Sequence, residues 1–131
     1  MSFTKSDITS ERAQTMTEFA LVLPILVVLL FGIIQCGIAF NNYVALTDAV
    51  RAGSRKAAVS RESGDPSGAC VTAAQNAAGD LSQSKLTVTC SSNWQPGSDV
   101  TVTGTYPYSI NLLGWVVKSG DLTTQIKERV E

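Results

Sequence analysis

The chain has 131 residues, a formal net charge of -1, no histidine and three cysteines. That length allows one domain plus an apolar segment. Its scattered lysines and arginines form no basic stripe for nucleic acid, and three cysteines without histidine cannot close a four-ligand zinc site. The sequence holds no glycine-rich phosphate loop, nucleophile elbow or Ser/His/Asp set. We therefore expect neither catalysis nor a cofactor.

Residues 1–13 read as a polar leader, and Glu18 stands at the edge of the apolar run that follows. From Phe19 to Phe40 the only side chains that are neither apolar nor glycine or proline are Gln35 and Cys36. A helix over those positions is roughly 33 Å long, enough to cross a hydrocarbon core of about 30 Å. A secretory signal would have a basic front, a shorter apolar core and a small-residue cleavage site behind it. Pro24 and Gly32 fall inside the span. Both are expected to interrupt the helix; Pro24 has no N–H for the carbonyl of Ala20, so a bend or a loosened turn is expected there. The alternative is that Pro24 is simply tolerated, as proline is in membrane helices. Cys36 reads as a small packing residue, because Gln35 occupies the position where a lipidation site needs a small side chain.

No proline occurs from Asn41 to Glu62. Tyr43, Leu46, Val50, Gly53 and Ala57 gather within about 80° of a helical wheel, opposite Asp48, Arg51, Arg55 and Glu62. The helix is therefore expected over 14–62, with residues 19–40 in the membrane and an amphipathic extension beyond. The turn residues of "SGDPSG" mark a linker at 63–68, and residues 69–131 form the head. Within it, Cys70, Ala73, Ala74, Ala77 and Leu81 share one face of a short helix. Leu86, Val88 and Cys90 share one face of a strand over Lys85 to Cys90. After a hairpin loop, "SSNWQPGSD", a strand over Asp99 to Tyr106 turns Val100, Val102 and Tyr106 inward. The last strand, Leu122 to Val130, carries Leu122, Ile126 and Val130 on one face. Glu128 falls on that same inward face, and we assign it no role.

The expected class is α+β: a long N-terminal membrane helix, a short helix and a small antiparallel sheet. Between the last two strands lies an apolar connection, "PYSINLLGWVVKSGD", with two open readings. It folds back over the sheet as core, or Leu112, Leu113 and Trp115 contact a neighbouring subunit or the membrane surface.

Cys70 and Cys90 both lie on the apolar faces of their elements, so a helix packed on the strand brings the sulfurs together. A disulfide closing about twenty residues contributes roughly 3 kcal/mol. The alternative is a pair of buried thiols in a reducing compartment. We expect the disulfide, which puts the head outside the cytoplasm and the N-terminus inside. The positive-inside rule does not decide, because Lys5 and Arg12 precede the run while Arg51, Arg55 and Lys56 follow it.

Ala13, then Gln14, Thr15, Met16 and Thr17, then Glu18 and Phe19 opening a long apolar helix, resembles a type IV prepilin cleavage region. More closely, "AQTMTEFALVLPILVVLLFGIIQCGIAFNNYVALTDAVRAGSRKAAV" resembles the TadE-like family of pseudopilins from tight adherence (Flp-type) pilus systems. The tail, "VTVTGTYPYSINLLGW" followed by "LTTQIKERVE", is similar to that family's strand, apolar loop and final strand. Prepilins usually carry glycine where this chain has Ala13. The resemblance implies a type IV pilin-like fold, a minor pseudopilin function without catalysis, and cleavage between Ala13 and Gln14. It implies that the freed amine of Gln14 pairs with Glu18, on its own chain or a neighbour's, and so registers subunits. A local alternative is a capping box between Thr15 and Glu18. The partners implied are a prepilin peptidase, the major Flp-type pilin and other pseudopilins, the assembly platform in the inner membrane, and membrane lipid. A more abundant filament subunit and an uncleaved single-pass envelope anchor are the alternative readings.

Overall fold

The apolar run and the polar segments flanking it form one helix, α1 (Lys5–Ala58). The computed structural model describes residues 5–131, with side chains from residue 11 onward. The first four residues of the expected leader lie outside the described part. With 54 residues, α1 follows a path of about 80 Å. The helix runs through Pro24 and Gly32 without a break. The interruption expected at these two positions does not appear as a gap in the helix.

The far end of α1 stops at Ala58, short of the expected Glu62. The Glu131 N–H donates to the Ala58 carbonyl at 3.1 Å, satisfying one of the acceptors that a helix end leaves without an intrahelical partner. The next helix, α2 (Pro66–Ala77), begins inside the expected linker. Asp65 accepts from the Gly68 N–H at 2.9 Å, and Pro66 takes the first helical position. This is an N-cap followed by proline, the arrangement that supplies an acceptor where helix N–H groups lack one.

Three strands follow, β1 (Thr87–Ser91), β2 (Asp99–Leu112) and β3 (Trp115–Arg129), paired antiparallel in the order β1-β2-β3. Val100, Val102 and Tyr106 point inward as expected and are buried. The apolar connection is where expectation and structure part. It is neither a loop nor core: β2 and β3 continue through it as a hairpin, paired from Asp99↔Arg129 to Leu112↔Trp115. The turn is Leu113-Gly114, both at positive φ (51° and 91°), as tight hairpins require to match strand twist. The side chains at the tip stay outside any core, with Leu113 68%, Trp115 83%, Val116 61% and Val117 61% exposed.

The core sits where α1, α2 and the base of the sheet meet. One cluster joins Leu46 and Ala49 of α1 to Ala78, Leu81, Leu86 and Tyr106. The other joins Val50 and Ala57 to Cys70, Val100, Val102 and Val130. Of the face expected on the amphipathic extension, Leu46, Val50, Gly53 and Ala57 are buried, whereas Tyr43 is exposed, beside Phe40, Val44 and Asp48. Glu128 is exposed despite its inward register opposite Val100.

Candidate functional site

The segment from Glu11 to Phe19 is helical and open to solvent. Residues four apart on a helix share a face, and the Gln14 Nε2 donates to Glu18 Oε1 at 3.0 Å. The Thr15 hydroxyl donates to the Glu11 carbonyl at 2.9 Å, and the Thr17 hydroxyl to that of Ala13 at 2.9 Å. Both threonines therefore bond back into the preceding turn. A capping box needs its threonine at the start of a helix. Thr15 lies inside α1, so the box is not formed.

Beyond Phe19 the surface of α1 is apolar on every side. Leu21, Ile25, Leu29, Ile33 and Phe40 are all exposed, and no residue from Phe19 to Phe40 is buried by the rest of the protein. A helix hydrophobic all round belongs in an apolar surrounding. Among the described residues, α1 is the helix long and apolar enough to cross a membrane. Cys36 lies within this surface as a free, exposed cysteine.

Cys70 and Cys90 are bonded, joining α2 to β1 across a separation of 20 residues. Cys70 is fully buried against the Val50, Val100 and Val102 cluster. Helix α2 is drawn against α1 at Gly53, where an added Cβ would stand 3.1 Å from Ala74 Cβ and 3.3 Å from the Cys70 carbonyl. Gly104 does the same for the sheet, its inward position facing Val50 and Leu46. The Thr47 and Thr124 hydroxyls meet at 3.4 Å beside it. These contacts seat the head closely against the C-terminal part of α1. The alternation along β2 puts position 104 on the inward face. The sequence does not reveal which part of α1 lies over it.

Leu112, Leu113 and Trp115 sit together at the hairpin tip. Nearer the core, Tyr106, Pro107, Tyr108 and Ser109 share a cleft with Gln35, Ile38, Ala39 and Asn42 of α1. The hairpin therefore travels back along α1 toward its apolar span.

No curated protein and no solved structure matches the chain. A family model described as TadE-like protein matches residues 13–55. The matched segment opens at Ala13, spans Glu18 and the apolar run, and ends three residues before α1 does. The family matched is the family that the sequence resembles.

Proposed function

We propose that the chain is a minor pseudopilin, a membrane-anchored structural subunit without catalysis that serves the assembly of a Tad (Flp-type) pilus or related filament. A prepilin peptidase hydrolyses the bond between Ala13 and Gln14 on the cytoplasmic side. The apolar helix then begins at Gln14 with a free, protonated amine. The observation that carries this reading is the Gln14 to Glu18 contact at the mouth of a TadE-like apolar helix. It holds the Glu18 carboxylate over the turn that the cut would turn into an N-terminus, about 6 Å along the axis.

An unpaired carboxylate entering a bilayer is costly. Pairing with the amine of Gln14, its own or that of an adjacent pilin, offsets that cost and sets the register between neighbouring helices. The apolar side chains of α1 pack against the helices of the major pilin and sibling pseudopilins, which the assembly platform in the inner membrane draws from the lipid. The Cys70–Cys90 bond supports a head outside the cytoplasm, since disulfides persist in oxidising compartments.

The test is Glu18→Ala, expressed with the pilus machinery intact. The variant is cut like the parent but does not enter the assembled complex, read by co-purification with the pilins. Normal assembly of the cut variant would leave Glu18 without a registering role.

A further inference from the structure

We propose that the tip of the β2–β3 hairpin is a second membrane anchor, dipping into the leaflet on the head side of the membrane beside α1. The proposal rests on α1 spanning the bilayer, and adds a lipid contact made by the head itself.

The direction of the hairpin comes from what β2 touches along its length. Its start, Val100 and Val102, packs with Val50 and Ala57. Gly104 meets Leu46 and Val50, and Tyr106 to Ser109 border the cleft with Gln35 to Asn42. Each step along β2 thus moves back down α1, and the stretch ending at Ser109 already borders the last part of the apolar run at Gln35, Ile38 and Ala39. Three more residues reach Leu112, about 10 Å of strand. The tip therefore reaches no more than about 10 Å past the end of the apolar run, into the outer part of the leaflet.

Its chemistry fits that height. Leu112 and Trp115 oppose each other on one side of the hairpin, while Val116 pairs with Asn111 on the other. Both sides of this tip therefore carry an apolar side chain. Val117 adds to it at the bulge between Ile110 and Asn111. No acidic residue occurs from Val100 to Gly120, and Lys118 stands just behind the apolar tip. Tryptophan favours the membrane interface, and a lysine there extends its ammonium toward the headgroups. The depth is also self-limiting. A two-stranded hairpin has unpaired backbone edges, which water and headgroups satisfy in the interface but the hydrocarbon centre does not.

The test uses the full-length chain in phosphatidylcholine vesicles carrying a nitroxide near the headgroup end of the acyl chain. The emission difference between the parent and Trp115→Phe reports Trp115 alone and leaves Trp94 untouched. We expect that component to be blue-shifted and at least halved by the nitroxide lipid. Adding Phe31→Trp to the Trp115→Phe protein places a reporter indole in the middle of α1, read with the nitroxide deep in the acyl chain. Quenching of that α1 reporter with an unquenched, solvent-like Trp115 overturns the hairpin proposal while leaving the spanning helix intact. If Trp115 then responds to protein concentration instead of lipid, the tip serves a second copy. An unquenched α1 reporter overturns the spanning helix, and the hairpin anchor with it.

Discussion

Replacing Gly104 with alanine tests how closely the sheet is pressed onto α1. A Cβ at this position would stand 2.5 Å from Val50 Cγ2 and 3.0 Å from Leu46 Cδ1. Neither neighbour has free space to enter, since both are 0% exposed in the core, and valine is stiff about χ1. Overpacking of this kind costs about 1–3 kcal/mol. Against it stands the gain from removing glycine inside a strand, about 0.5–1 kcal/mol. The clash wins, and the net loss is roughly 1–2 kcal/mol, or about 5–15 °C in Tm for a head of this size. Thermal unfolding in detergent, followed by the fluorescence of Trp94, which packs against the Val50 and Val102 cluster, reads the change. In a Val50→Ala background the obstructing methyl is gone, so the same substitution costs less than half as much, a coupling expected of residues in contact. Gly104→Ala melting at or above the parent temperature would refute the close approach, and equal losses in both backgrounds would refute its assignment to Val50.

Two further outcomes follow from the disulfide. Cys70→Ser lowers the stability of the head by roughly 3 kcal/mol, measured by urea unfolding without reductant, because about twenty residues of closed loop are released. An unchanged midpoint would mean that the bond constrains nothing. In the native, unreduced protein a thiol reagent in detergent labels Cys36 alone, and labelling of all three cysteines would sink the disulfide.

The parts legible in the sequence were those with a clean period or a clean composition. The apolar run needs only its length, and the inward faces of α2, β1 and β2 follow spacings of 3.6 and 2 that bring Cys70 to Cys90. The hairpin extension escaped because its apolar residues do not alternate: both faces are apolar at the tip, so period 2 vanishes over Leu112 to Val117. Its turn also hides. Leu113 holds a left-handed φ of 51°, a conformation that glycine, asparagine and aspartate adopt far more readily than leucine. Asp65-Pro66 could be read as a turn or as a cap and first helical residue, and the helix that follows decides for the cap. Tyr43 falls within the expected face yet is exposed, while Asn42 beside it borders the cleft with the hairpin. The wheel reports direction around α1 and says nothing of how far along it the sheet reaches. Ala13 to Phe19 was legible as a boundary from charge alone, whereas the Gln14 to Glu18 contact depends on α1 continuing upstream through Ala13.

The central claim, prepilin-type processing of a membrane-anchored subunit with an exported head, is tested most directly by the intact mass of the protein extracted from its native membrane without reductant. The account predicts loss of Met1 to Ala13 together with the two-hydrogen deficit of one disulfide. A mass retaining Met1 to Ala13, from cells with an active prepilin peptidase, would contradict the processing and leave an uncleaved membrane anchor in its place.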